Sequence, residues 1–148
     1  MKIRRIVTGH DASGRSLVAA DSLIESHPGK MDTAIAIADL WLNTLPPALD
    51  GADPTQTDFP VLPRKGGALF RILELMPGTA PHMHKTETID YIVVLAGTLS
   101  MLLDDGTELA MKPHDVMIQR ATVHGWANRG SEPCRFATVV IDATGAKE

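Results

Sequence analysis

The stretch from Gly78 to Gly97 reads GTAPHMHKTETIDYIVVLAG and joins a histidine pair to an apolar run of strand length. Successive side chains of an extended chain point to opposite faces, so His82 and His84 are expected to project to the same side. A third histidine, His124, begins the run HGWAN forty residues later, and hairpin connections can bring it opposite the first pair. Three neutral imidazoles leave coordination positions open and suit Fe, Mn, Ni, Zn or Cu. The sequence therefore predicts one divalent transition-metal ion held by His82, His84 and His124.

Two carboxylates compete for the place beside these histidines. Asp90 opens the apolar run and has the same parity as Ile92 and Val94, which predicts that it points inward. Glu87 is nearer to His84 in sequence and has the longer side chain, but it lies in the polar link KTET. We favour Asp90 as a metal ligand or catalytic base and keep Glu87 as the alternative.

Short apolar runs separated by turn residues extend on both sides of this stretch. Runs of four to eight residues with no convincing long helix predict an antiparallel sandwich or barrel. Pro77-Gly78 and Asp104-Asp105-Gly106 supply turns. The predicted strands cover residues 3–7, 16–20, 68–75, 89–96, 98–103, 107–111, 116–119 and 134–141, while 35–42 fits a strand or a helix. One barrel is expected, because no internal repeat is present.

The first part of the chain has a different character. Residues 1–63 combine the predicted N-terminal strands with the stretch 45–63, which contains five prolines. Prolines at that density remove the donors of a strand ladder, so this stretch is expected to be irregular and to wrap over the barrel. We predict one folded domain, with residues 1–63 as an N-terminal extension and 64–143 as the barrel.

Composition excludes several classes of function. The net charge is −4 and the basic residues are scattered, so there is no basic stripe for nucleic acid. No apolar stretch is long enough for a signal peptide or a membrane span, and a cytoplasmic location is the default expectation. The single cysteine, Cys134, excludes an internal disulfide and lies in an apolar run, where a buried, inert thiol is expected.

At two motifs the chain resembles the cupin superfamily, in particular its small single-domain members. The first motif is the stretch from Gly78 to Gly97, with HxH followed by an acidic residue and a glycine. The second runs from Gly106 through Pro113-His114-Asp115 to His124 and Asn128. Asp90 stands where the family carries a glutamate, and His114 stands where it carries a glycine. The resemblance implies a double-stranded β-helix, or jelly-roll, barrel with a metal at His82, His84, His124 and Asp90, and a homodimer built with the N-terminal strands.

The resemblance leaves the reaction open, because cupins include dioxygenases, decarboxylases, isomerases, lyases and binding proteins. An apolar barrel mouth over a Lewis-acidic metal suits a small organic acid or aromatic substrate. Two alternatives remain: a non-catalytic small-molecule-binding cupin, and a structural barrel that has lost its metal. The residues expected to line the substrate pocket are Phe70, Ile72, Met83, Ile92, Met117, Gln119 and Trp126.

Overall fold

The computed structural model describes residues 1–49, 52–56 and 58–144, and in these ranges the chain is all-β. No helix in the described ranges is long and apolar enough to cross a membrane. The irregular stretch contains a short 3-10 turn, Pro54–Gln56. The strands are β1 (Lys2–His10), β2 (Ser16–Glu25), β3 (His27–Pro28), β4 (Ile35–Thr44), β5 (Gly67–Leu75), β6 (Thr88–Ala96), β7 (Leu99–Leu103), β8 (Glu108–Met111), β9 (Val116–Arg120), β10 (His124–Ala127) and β11 (Cys134–Asp142).

The strands form three antiparallel sheets. A six-stranded sheet has the order β3-β4-β5-β11-β6-β9, and a three-stranded sheet has the order β10-β7-β8. The β1–β2 hairpin forms a third, separate sheet. Because β3 and β4 precede residue 63, the large sheet takes strands from both sides of the predicted boundary between extension and barrel. The arrangement confirms the predicted all-β jelly-roll barrel.

The main core lies between the two larger sheets. In β6 and β11 every second side chain points inward, and Ile92 and Val94 of β6 pack in one cluster with Phe136 of β11. Cys134 is fully buried in the same cluster, and burial raises the pKa of its thiol to about 11. A thiol with that pKa is an inert packing group at neutral pH, as expected from the sequence.

The β1–β2 hairpin covers part of the outer face of the large sheet. Ile3 and Ile24 of the hairpin pack against Leu40 of β4 and Ile72 of β5. Both faces of β5 are therefore apolar, one toward the barrel interior and the other toward the hairpin. Alternation along β5 alone does not tell the two faces apart.

The proline-rich stretch is fixed to the barrel at its C-terminal part. Phe59 is buried against Leu69 of β5 and Val140 of β11. The carbonyl oxygens of Pro60 and Val61 accept hydrogen bonds from Arg71 of β5, at 3.0 and 2.9 Å. The segment thus lies over the end of the barrel on the β4–β5–β11 side.

An ion pair joins the N-terminal hairpin to the start of this stretch. The buried Arg5 guanidinium donates hydrogen bonds to both carboxylate oxygens of Asp53, to Thr55 Oγ1 at 2.9 Å and to the Leu40 carbonyl at 3.2 Å. The hydrogen bond from Arg5, assisted by those from Thr55, lowers the pKa of Asp53 to about 2. The carboxylate is therefore stabilised in the folded chain relative to the unfolded one.

We expect Asp53→Asn to lower the free energy of unfolding by about 1–2 kcal/mol at pH 7. Because the folded-state pKa lies below the unfolded value of about 4, the contribution is complete above that pH and disappears as the pH falls toward 2. Urea unfolding at pH 7 and pH 3 measures this. Asp58→Asn, which removes an exposed ion pair with Lys30, is the control and should change little. An Asp53→Asn effect that is equal at both pH values would contradict the assignment.

Candidate metal and ligand-binding site

Two of the three predicted histidines are brought together by backbone pairing. His84 and His124 form a β-bridge, in which the backbone N–H of each residue donates to the carbonyl oxygen of the other. The N···O distance is 2.8 Å from His84 to His124 and 2.9 Å from His124 to His84. Their ring centroids lie 4.4 Å apart. Gly125 permits this approach, because a Cβ at that position would lie 2.6 Å from Met83 Sδ and 3.1 Å from Pro81 Cβ. The glycine after His124 therefore has a packing role: it lets the HxH segment lie directly on β10.

Hydrogen bonds orient both rings in the same way. Nδ1 of His84 donates to the His82 carbonyl and Nδ1 of His124 donates to the Thr122 carbonyl, each at 2.9 Å. A carbonyl oxygen only accepts, so the neutral rings carry their proton on Nδ1 and leave the Nε2 lone pair available. Burial lowers the pKa of His124, with the charge of His84 acting in the same direction and the Thr122 carbonyl opposing. A neutral imidazole with a fixed tautomer is the form that ligates metals.

Asp90 lies on the same side of the barrel interior. Its side chain is only 8% exposed, and its Oδ1 has no hydrogen-bond partner within the described protein. Burial raises the pKa of this carboxyl, while a hydrogen bond from Thr88 and the charge of His84 oppose the shift. An unpaired buried carboxyl oxygen is costly for folding alone. Such an atom is readily explained by a ligand that the folded chain is built to receive.

His82 lies apart from this pair. Its ring is exposed, and its centroid is 5.9 Å from that of His84 in a stacked arrangement. Within residues 1–49, 52–56 and 58–144, no group of three or more His, Cys, Asp or Glu side chains is arranged to hold one metal ion. The structure thus juxtaposes His84 and His124 near Asp90, and the complete set with His82 stays a prediction.

A cavity of about 170 Å³ opens beside these residues. His82, His84, His124 and Asp90 all contribute to its wall, whereas the side chain of Glu87, the alternative carboxylate, is exposed elsewhere. The remaining wall is mainly apolar and includes Phe59, Leu73, Ile92, Trp126, Phe136 and Val140. The site is therefore a mainly apolar pocket with a histidine and carboxylate group on one side.

Comparison with known proteins identifies the family. A cupin-domain family model matches residues 71–141. The cupin-domain-containing oxidoreductase fogC of Aspergillus ruber is 33% identical over 149 residues, which cover 95% of this chain and 73% of that protein. The chain belongs to the cupin superfamily. Phomopsin biosynthesis cluster protein C' of Diaporthe leptostromiformis is a second relative, 35% identical over 84% of this chain and 70% of its own length.

A solved structure has a similar overall fold. The polyketide cyclase RemF from Streptomyces resistomycificus superposes with a TM-score of 0.52 over 84% of this chain and 82% of its own. At 22% sequence identity this likeness concerns the fold alone. It agrees with the jelly-roll arrangement of sheets described above.

The predicted pocket residues of this cupin divide into three groups. Ile92 and Trp126 line the cavity. Phe70 and Ile72 do not, and their placement in the pocket is corrected: they line a separate surface groove with Trp41. The inward residues of β5 are Arg71 and Leu73, one position out of step with the predicted parity.

The other three predicted residues lie near the cavity but are absent from its described wall. Met83 is 40% exposed and faces Gly125. Met117 packs against the main core, and Gln119 is buried with its amide donating to Thr122. Gln119 lies on the inward face, because it pairs with Asp90 across β6 and β9, but its amide is engaged locally.

Several cavity residues were not predicted from the sequence. The wall includes Arg71 of β5, Thr138 of β11, Asp39 of β4 and His27 of β3. Arg71 and Thr138 are polar residues inside otherwise apolar strands, and that contrast was the available signal. His27 and Asp39 carried none, because they reach the cavity only through the pairing of β3 and β4 with the large sheet.

Proposed function

We propose that this cupin is a metal-dependent oxidoreductase that acts on a small organic acid or aromatic molecule bound in the cavity. The observation that carries the proposal is the pairing of His84 and His124, with both Nε2 atoms available, beside the unpaired carboxyl oxygen of Asp90. The name of the Aspergillus ruber relative, an oxidoreductase, favours this class over other cupin functions.

The donor set fits a divalent transition metal in its chemistry. Imidazole nitrogens and a carboxylate are ligands that Fe, Mn, Ni and Zn accept. His84 and His124 would hold the ion, with His82 and Asp90 as the further ligands. When bound, the ion supplies Lewis acidity and, for Fe or Mn, redox chemistry that no side chain of this site provides.

The chain's own groups would prepare the site for such an ion and for the substrate. The carbonyl oxygens of His82 and Thr122 hold the two imidazoles in the ligating tautomer. Asp90 lines the cavity, where its carboxyl group could ligate the ion or accept a proton from a bound substrate. The apolar wall, including Trp126 and Phe136, would displace water when a substrate fills the same space.

Metal uptake tests the proposal. We expect protein purified without a nickel column, incubated with Mn²⁺ or Fe²⁺ and dialysed, to retain about one ion per chain by elemental analysis. His84→Ala and His124→Ala should each lose most of it, whereas His10→Ala, which alters an exposed histidine on β1, should not. Wild-type protein that takes up no ion, or variants at His84 and His124 that bind as well as wild type, would refute the proposal.

A separate prediction distinguishes Asp90 from Glu87 as the carboxylate of the site. We expect Asp90→Asn to weaken metal retention by about 10–100-fold, the range found when a ligand or its close partner is altered. Glu87→Gln should leave retention unchanged, because the Glu87 side chain is exposed. Competition with a metallochromic chelator measures both. If Glu87→Gln has the larger effect, Glu87 and not Asp90 is the carboxylate of the site.

A non-catalytic ligand-binding cupin is the second candidate. It is favoured by the absence, among the described residues, of three side chains arranged around one ion, and by the aspartate at the position of the family's glutamate. This candidate predicts ligand binding in the cavity without metal uptake. The elemental analysis therefore separates the two functions.

A further inference from the structure

The cavity has a second polar wall that the histidine site does not use. Arg71 of β5 and Thr138 of β11 are directly opposite each other in the strand pairing, and both line the cavity. The Thr138 side chain is 5% exposed, and its hydroxyl has no hydrogen-bond partner within the described protein. A buried hydroxyl without a partner destabilises a fold. Because Thr138 lines the cavity, a ligand atom bound against this wall is a candidate partner for that hydroxyl.

Arg71 is fixed in place with donors to spare. Its Nε donates to Asp39 Oδ1 at 2.7 Å, and its terminal nitrogens donate to the carbonyl oxygens of Val61 and Pro60. These bonds use three of the five N–H donors of a guanidinium. The group is 8% exposed, so any anion it meets is shielded from bulk water.

The carboxylate that pairs with Arg71 has a second partner. Asp39 is bonded on one oxygen by Arg71 and on the other by His27 Nε2 at 2.9 Å. Nδ1 of His27 faces the Pro28 carbonyl, also at 2.9 Å. Both ring nitrogens thus face acceptors, which is the pattern of the imidazolium ion. The Pro28 carbonyl and then the Asp39 carboxylate raise the pKa of His27, against the effects of burial and of the Arg71 charge. Asp39 is therefore shared between Arg71 and His27.

The size of the cavity limits what can meet this wall. Its volume of about 170 Å³ is close to that of an engineered cavity of ~150 Å³ that binds benzene. Among the other charged residues of the wall, Lys30 and Asp32 have opposite signs, Lys30 is paired with Asp58, and Asp90 supplies the carboxyl group of the histidine site. The cavity therefore suits a ring-sized apolar molecule with one anionic group.

We propose that Arg71 and Thr138 form an anchor for a carboxylate on a ring-sized organic molecule, so that the acid group is held by the β5–β11 wall and not by the histidines. The inference rests on the proposed function only in treating that molecule as a substrate. It adds the class of substrate, a small carboxylic acid, and the residues that select it.

Thr138→Val tests the anchor with a change that preserves side-chain volume. The probes are benzoate and its neutral counterpart benzamide, titrated by calorimetry or by chemical shifts. We expect wild-type protein to prefer benzoate by about tenfold or more, and Thr138→Val to weaken benzoate binding roughly tenfold, the value of one hydrogen bond to a charged group. The variant should melt at the same or a higher temperature, because it loses only an unpaired hydroxyl. Thr138→Ser keeps the hydroxyl and should bind benzoate nearly as well as wild type.

Controls separate this proposal from the metal site. Ser22→Ala also removes a buried hydroxyl without a described partner, but on β2 outside the cavity, and should not affect binding. The preference for benzoate should persist in His124→Ala.

If the preference for benzoate is lost in His124→Ala and is unchanged in Thr138→Val, the acid is held at the metal. That outcome refutes the anchor and leaves the proposed function standing. Equal binding of benzoate and benzamide, or no binding of either at roughly 10 mM, would also overturn it. A retained preference without any metal uptake would refute the proposed function alone.

Discussion

Replacing Arg71 by Met is expected to lower the free energy of unfolding by about 3–5 kcal/mol, the cost of leaving one partner of a buried ion pair alone. The Arg71 and Asp39 side chains are each only 10% exposed and are joined at 2.7 Å. Methionine fills much of the same volume but removes the guanidinium group that pairs with the Asp39 carboxylate. It also releases the carbonyl oxygens of Pro60 and Val61, which fix the proline-rich segment over the barrel.

A second substitution shows whether the uncompensated charge is the cause. Asp39→Asn added to Arg71→Met should recover part of the loss, because the remaining group is then neutral. Arg129→Met is the control, since both side chains of its ion pair are exposed, Arg129 by 55% and Glu108 by 39%; it should change the free energy of unfolding little. Urea unfolding monitored by Trp fluorescence measures all three variants. An Arg71→Met effect no larger than the Arg129→Met effect would show that the Arg71–Asp39 pair does not stabilise the barrel.

Gly97→Ala is expected to destabilise the protein by at least about 3 kcal/mol, for two reasons that add. Gly97 has a φ of 70°, in the left-handed region that disfavours residues with a Cβ. A Cβ there would lie 2.5 Å from the Pro133 carbonyl oxygen and 2.8 Å from Cys134 Cα. Both of these are backbone atoms, so relief requires β11 to move away from the end of β6.

Gly106→Ala isolates the backbone part of this effect. Gly106 has a φ of 86°, but a Cβ added there meets nothing within 4 Å. The expected cost is only the conformational one, about 1–2 kcal/mol. Thermal and urea unfolding of the two variants give the difference. Equal losses at the two positions would mean that the close approach of Pro133 and Cys134 does not limit the site.

Much of the barrel was predictable because its strands obey a local rule. In β6 and β11 every second residue is buried, so periodicity gave their limits to within a few residues and placed Asp90 inward. β10 was missed as a strand, because His124-Gly125-Trp126-Ala127 is short and contains a glycine. Its strand character comes from pairing with β7 and from the close packing of the HxH segment on Gly125, which no local pattern encodes.

The site was predictable only in part, for a related reason. The HxH motif and His124 were sufficient to predict that His84 and His124 meet. The faces of β5 were assigned the wrong way round, because the β1–β2 hairpin makes the outer face apolar as well and so hides the parity of Phe70 and Ile72. The wall with Arg71, Thr138 and His27 depends on strands and on a proline-rich segment that come together from distant parts of the chain. Such contacts follow from topology and not from composition.

A crystal structure of the zinc-loaded protein, with an anomalous difference map at the zinc edge, tests the metal site most directly. We predict one strong peak on the cavity wall, about 2.1 Å from the Nε2 atoms of both His84 and His124. Asp90 Oδ1 or the His82 ring should complete the contacts, and the peak should vanish in His124→Ala. A map with no peak at these two nitrogens, or with zinc bound only at exposed residues such as His10, would contradict the proposed metal centre.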